Sequence, residues 1–334
     1  IAMALTDIIL IYFKRFLKVS SLLFIILTLL SSKAFAGVTF IDSFRVDLQE
    51  TWPNGLAFNN DGTKMFVMGT DGDDVNEYTL STGFDVSIAS FVDSFSVGSQ
   101  ESSAFGLAFS ADGTKMFVTG SGGDDVNEYT LSTGFDVSTA SFNDINGDGT
   151  GFDVSSQDDA PVGLAFNTDG TKMFVVGQLG DDVNEYTLST GFDVSTASFN
   201  DINGDGTGFD VSSQEASPTG LAFNNDGTKM FVLGATGQDV DEYTLSTGFD
   251  VSTASFVGSF SVSSQEAGPW GLAFSADGTK MFVMGTDGDD VNEYTLSTGF
   301  EITGPTLSSS SPSDGATGVG ADDNIVLTFS EAVD

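Results

Sequence analysis

Gly55-Leu-Ala-Phe-Asn-Asn-Asp-Gly-Thr-Lys-Met-Phe-Val67, continued by Glu77-Tyr-Thr-Leu-Ser-Thr-Gly-Phe84, recurs five times along this chain with only the pair at Asn59-Asn60 varying within the quoted segments. The Gly-Leu-Ala-Phe tetrad returns at Gly106, Gly163, Gly220 and Gly271, with spacings of 51, 57, 57 and 51 residues. Copies at such a period describe one supersecondary unit packed against its own repeats. Near-identical copies also weigh against an enzyme, whose active site needs one unique constellation.

Each copy reads as four short strands. In the first copy, Gly55–Phe58 is followed by Asn59-Asn60-Asp61-Gly62, and Asp-Gly between apolar runs is a hairpin signal. Lys64–Met68 is almost wholly apolar, as expected of a strand buried on both faces. A polar loop leads to a third strand, Val75–Leu80, and a turn leads to a fourth, Ser90–Val97, where Phe91, Asp93 and Phe95 alternate with Val92, Ser94 and Ser96. Four antiparallel strands per repeat, with no helical periodicity, predict an all-β fold: a five-bladed β-propeller of four-stranded blades. The last copy stops matching after Phe300 and lacks its fourth strand, whereas a spare one, Phe40–Val46, precedes the first copy. The N-terminal strand is therefore expected to complete the last blade and close the ring, leaving no open sheet edge. A β-solenoid is the alternative, although its coils are shorter and it has no use for a displaced strand.

Asp61-Gly-Thr-Lys-Met-Phe-Val67 and its four counterparts resemble the recurring hairpin of YVTN and SMP-30-like propellers over residues 38–300, which implies a fold and no particular chemistry. Beyond it, Pro305–Gly315 is linker-like. Ser311-Pro-Ser-Asp-Gly-Ala-Thr-Gly-Val319 and Asn324-Ile-Val-Leu-Thr-Phe-Ser-Glu-Ala-Val333 resemble the first strands of a bacterial Ig-like domain of the SbsA type. Two strands do not make a sandwich, so the resemblance implies part of a longer, modular extracellular protein. At the other end, basic Lys14, Arg15 and Lys18, the apolar run Ser21–Leu30 and Ala34-Phe35-Ala36 form the pattern of a secretory signal peptide, with a signal helix expected there. An uncleaved anchor is the competing reading, although the run is short for a span. The expected organisation is a signal segment over 1–36, the propeller over 37–302, and a linker with the Ig-like start over 303–334.

The 334 residues hold 10 Lys+Arg against 48 Asp+Glu, a net charge of −38. Cleavage after Ala36 removes four positives and Asp7, leaving 6 against 47, a net of −41. Five of those six are the repeat lysines Lys64, Lys115, Lys172, Lys229 and Lys280. Such a field repels nucleic acid and anionic lipid. Neither partner is expected, nor is membrane insertion after cleavage. Absence of Cys and His excludes disulfides, thiolate sites, a Ser-His-Asp triad and the common zinc sites. Any metal must be a hard cation on oxygen ligands, such as Ca²⁺.

Three sets of residues are candidates for chemistry. Copies two and three carry six extra residues in the fourth strand. Asp144, Asn146, Asp148, Thr150 and Asp153, and again Asp201, Asn203, Asp205, Thr207 and Asp210, have the spacing of a calcium loop. The pattern resembles the loops of EF-hands, dockerins and integrin-type blades. It departs from the EF-hand at position 12, where Ser155 and Ser212 stand, and from the nine-residue loop in placing the last Asp at position 10. A polar Gly-rich bulge is the plainer reading. The loop between the second and third strands carries Asp73, Asp124, Asp181 and Asp289, each followed by a further Asp, and these are expected to ring the channel mouth or to remain solvated turn residues. Finally, the residue before Gly-Leu-Ala differs in every copy: Asn54, Phe105, Val162, Thr219 and Trp270, with Trp52 nearby. An aromatic ring in a concave, hydroxyl-rich pocket suits sugar stacking, whereas core packing between blades is the alternative. The reading that unites these features is a secreted or cell-surface bacterial recognition or adhesion module without catalysis, binding an extracellular glycan or protein. A carboxylate-based glycoside hydrolase and a structural spacer are the alternatives. The hydrolase needs two unlike carboxylates at a set separation, and the repeated acids offer no unique pair.

Overall fold

The computed structural model describes residues 37–303, 307–311 and 326–329. The signal segment expected over 1–36 and most of the Ig-like start lie outside the described residues. Val38–Thr303 is one compact unit.

Strand β1 (Val38–Arg45) precedes the first repeat. Blade one is β2 (Pro53–Phe58), β3 (Lys64–Gly69), β4 (Asp74–Leu80) and β5 (Ala89–Ser96). Blade two is β6 (Ala104–Phe109), β7 (Lys115–Gly120) and β8 (Asp125–Leu131), with a split outer strand, β9 (Ala140–Phe142) and β10 (Phe152–Asp153). Blade three repeats this as β11 (Pro161–Phe166), β12 (Lys172–Gly177), β13 (Asp182–Leu188), β14 (Ala197–Phe199) and β15 (Phe209–Asp210). Blade four is β16 (Pro218–Phe223), β17 (Lys229–Gly234), β18 (Asp239–Leu245) and β19 (Ala254–Ser261). Blade five takes β20 (Pro269–Phe274), β21 (Lys280–Gly285) and β22 (Asp290–Leu296) from the last repeat, and its fourth strand is β1. Val38 lies opposite Leu296 and Arg45 opposite Asp290, antiparallel. The expected five-bladed, four-stranded antiparallel propeller closed by its N-terminal strand is thus the fold of the chain. Separately, β23 (Leu307–Ser311) pairs antiparallel with β24 (Val326–Phe329).

The core lies between blades rather than within them. The five apolar clusters each join two neighbouring blades: Phe66 and Met68 of blade one pack with Leu107 and Met116 of blade two, and Phe282 and Met284 of blade five pack with Leu56 and Met65 of blade one. The second strand of each blade is buried on both faces because a blade has a neighbour on either side. At every boundary a Phe of the second strand meets a Phe ending the next blade's first strand. The centroids are 4.5 Å apart for Phe174 and Phe223, and again for Phe282 and Phe58, which closes the circle.

The repeat lysine and glutamate staple these boundaries. Lys172 Nζ pairs with Glu185 at 2.6 Å and also donates to the carbonyl of Phe249 in the next blade at 2.6 Å. The other oxygen of Glu185 accepts the Val251 N–H of that blade at 3.2 Å. The same set recurs around the ring, and Lys280 reaches Phe84 of blade one while Glu293 accepts from Val86. The accepting Phe residues stand in the left-handed region, with φ of 57–60°, which is strained for a bulky residue. Two contacts hold them there. Each N–H bonds back to the hairpin glycine carbonyl, as Phe192 does to Gly170 at 3.0 Å, and each carbonyl accepts the lysine.

Candidate functional site

The five first strands surround the ring axis, and glycine lets them approach. A Cβ on Gly55 would sit 2.8 Å from the Phe105 carbonyl oxygen of the next blade, and one on Gly271 would sit 2.9 Å from that of Asn54. The residue before each glycine therefore turns toward the axis. Asn54, Phe105, Val162, Thr219 and Trp270 together line a narrow open funnel with a cavity volume of about 20 Å³, completed by the Gly-Leu pairs that follow them. It lies toward the end of the ring that bears the loops entering the first strands. Trp270 stacks on Phe105 across it, centroids 5.2 Å apart and planes inclined 22°. Thr219 Oγ1 is turned into the wall, where the carbonyls of Leu233 (3.2 Å) and Pro269 (3.0 Å) accept from it. Asn54 is 4% exposed, yet among the described residues neither its amide nitrogen nor its amide oxygen has a hydrogen-bond partner. A buried amide left so costs on the order of 1–3 kcal/mol until a ligand or water meets it. Among the described residues, no Asp, Glu, Lys or Arg lines the funnel.

The other expected ligand residues do not join this set. Trp52 is 58% exposed and stands in the loop entering β2, outside the funnel lining and not packed in the core. Asp73, Asp124, Asp181 and Asp289 are also absent from that lining. They occupy left-handed turns, with φ of 47–52°, and their carbonyls accept the N–H groups of Val97, Val154, Val211 and Val46, which tie the loop to the end of the outer strand. Burial raises the carboxyls of Asp73, Asp124 and Asp181. One oxygen on each of these three is buried and unpartnered.

A ring of acids that sequence reading passed over sits beneath these loops: Glu50, Glu101, Asp158, Glu215 and Glu266, each at most 4% exposed. Glu101 accepts from the N–H groups of Ser103 (2.9 Å), Gly122 (2.8 Å) and Gly123 (3.2 Å), and Asp158 from Ala160 (2.6 Å) and Gly180 (2.8 Å). They knit two loops of one blade together. Desolvation raises Glu50, Glu101 and Glu266 against the lowering effect of those amides. The signal was present: a Gln-Glu or Gln-Asp pair ends five residues before every Gly-Leu-Ala-Phe.

The two inserted loops fill the place of a bulge. In blade one the outer strand slips register between Phe91 and Asp93, and in blades two and three that slip widens into residues 143–151 and 200–208. The acids turn inward on their own loop. Asp144 accepts from Gly147 and Gly149, and Asp148 from the N–H and hydroxyl of Thr150. Asn146 donates to the Gly151 carbonyl, and Asp153 accepts from Ser155. Asp201, Asn203, Asp205, Thr207 and Asp210 repeat the arrangement, Thr207 bonding to Asp205 and Ser212 to Asp210. Among the described residues, no group of three or more acidic side chains is gathered closely enough to hold a metal ion.

Residues 301–334 match the model of the bacterial Ig-like domain. No curated protein matches the sequence. Similar solved structures include a functionally unknown protein of Desulfotomaculum acetoxidans, at 14% identity over 70% of this chain and TM-score 0.40. Here the chain spans 62% of that protein's length. Others are a luciferin-regenerating enzyme (12% identity, 79% of this chain and 97% of that one, TM-score 0.47) and the periplasmic gluconolactonase of Pseudomonas aeruginosa (17%, 73% and 66%, TM-score 0.43). At these identities no ligand or reaction transfers from them. Among the described residues, no helix is long and apolar enough to cross a membrane.

Proposed function

We propose that the protein is a secreted or cell-surface recognition module that binds a neutral, hydroxyl-rich ligand at the mouth of the axial funnel without catalysis. One observation carries this reading. Gly-Leu-Ala-Phe is identical in all five blades, while the residue before it differs in all five and faces the axis each time. A copied framework thus presents one differentiated surface, with a stacked aromatic pair and an unpartnered amide. Stacking and amide hydrogen bonding are the means by which proteins hold sugars. The absence of ionisable groups from the funnel supports binding rather than acid–base chemistry there. The match of residues 301–334 to a bacterial Ig-like domain supports an extracellular setting. Calcium at the two inserted loops belongs to the same proposal as a stabiliser. Its support is the spacing of oxygen-bearing side chains.

The chain has two tryptophans, so the variant Trp52→Phe leaves Trp270 as the sole tryptophan reporter. Titration of this variant with a panel of neutral mono- and oligosaccharides is expected to give a saturable emission change for at least one sugar, lost on Asn54→Ala. A flat response across the panel in a folded protein contradicts the proposal.

A further inference from the structure

Blade four differs from the others at one buried position. In the third strand of blades one, two, three and five, an asparagine donates its side-chain N–H to the aspartate two residues before it. Asn76 reaches Asp74 Oδ1 at 2.8 Å, Asn127 reaches Asp125 at 2.5 Å, Asn184 reaches Asp182 at 2.7 Å, and Asn292 reaches Asp290 at 2.7 Å. In β18 the asparagine is replaced by Asp241. The atom that accepts the amide elsewhere, Asp239 Oδ1, is here buried without a partner among the described residues, as is Asp241 Oδ2. Asp241 is 3% exposed.

Among the described residues, no positive charge answers this pair. Across the sheet Asp241 faces Val232 of β17 and Ser259 of β19. The remaining groups that act on it are acidic: Asp239 on its own strand and Glu215 from the loop entering β16. Asp210, from the end of β15, adds a further negative charge beside the neighbouring Tyr243. Lys229 is already bound to Glu242 and Glu301. Two carboxylates buried side by side without a cation do not both stay ionised.

We propose that Asp239 and Asp241 hold one proton between them in the folded protein, replacing the amide hydrogen of the other blades, and that its loss above neutral pH loosens blade four. The proton restores an O–H···O bond between the two orphaned oxygens. Burial, with Asp239 and Glu215 adding to it, pushes Asp241 up to about 7, and the titration belongs to the pair rather than to one member. A folded-state value raised this far contributes stability that is fully present below the ordinary carboxylate range. That contribution is lost as the pH rises through about 7. Only blade four has this pairing, so this shared proton belongs to one sector of an otherwise repeated ring.

The other blades supply the control. Melting of the full chain and of Asp241→Asn is compared between about pH 5 and 8.5. The two are expected to melt alike at the acidic end, and the variant about 5 °C higher at the alkaline end. Infrared spectra should show a protonated-carboxyl band in the native chain at pH 6 that vanishes by pH 8.5 and is missing from the variant. Parallel melting profiles with no such band would overturn the proposal. So would a gap at pH 8.5 that added Ca²⁺ closes for a chain lacking the band, since the pair would then be neutralised by a metal ion.

Discussion

At the residue scale, two charged positions per repeat decide how the blades hold together. Their lysines were visible as nearly the only positive charges, but their partner was hidden in the Glu-Tyr-Thr run. Lys172 pairs across the ladder with Thr187, two residues beyond Glu185, so lysine and glutamate are diagonal neighbours on one face. What sequence alone did not reveal is that the glutamate is fully buried and divides its oxygens between its own lysine and the next blade. Lys172→Met leaves that carboxylate buried and uncompensated, and is expected to lower stability by about 3 kcal/mol in urea unfolding, whereas adding Glu185→Met to it should recover part of the loss. The hairpin glycine has an equally local test. A Cβ at Gly170 would lie 2.3 Å from the ring of Phe192, and its φ is +71°. Gly170→Ala should cost about 2 kcal/mol by the same measurement. A loss below half a kcal/mol would show that the strained phenylalanine is not held by this contact.

At the scale of elements, the repeat revealed strand order and hairpins because apolar alternation and Asp-Gly turns are local signals. The third strand starts one residue earlier than its apolar run, at Asp74, since the aspartate pairs with Gly69 in the ladder. The insertion was legible as six extra residues but not as an enlarged bulge, because a register slip depends on the partner strand. Its acids are engaged with their own backbone, so calcium would have to displace bonds such as Gly147 N–H to Asp144 at 2.7 Å. If calcium binds there, melting of the full chain at matched ionic strength should rise in Ca²⁺ but not in Mg²⁺, and Asp144→Ala with Asp201→Ala should abolish the difference. Equal melting in the two ions would leave these loops as capped turns.

At the scale of the whole molecule, closure and charge govern stability together. The displaced strand made the ring predictable, because a missing fourth strand at one end and a spare one at the other have one economical solution. The funnel was only half legible. Variation marked its five residues, but Trp52 stood just as close in sequence and lies outside it, since the twist and start of β2 decide which side chains face the axis. The field of a chain with a net charge of −38 opposes compaction. Burial holds Glu50, Glu101, Glu266, Asp125, Asp182 and Asp290 above their ordinary values. Groups raised on folding contribute stability below the ordinary carboxylate range and lose it as pH rises. Calorimetry should therefore find a higher Tm at about pH 5 than at pH 8 in low salt, with added salt raising the Tm at pH 8. A Tm that climbs from pH 5 to 8 would contradict this balance.

Every feature of the site depends on the ring being closed by β1, and native-state hydrogen exchange of the full chain tests that directly. The amides of β1 that pair with β22 should exchange as slowly as those of the outer strand β5 against β4 in blade one. Rapid exchange of β1, with β22 behaving as an open edge, would contradict closure and with it the arrangement of five differing residues around one axis.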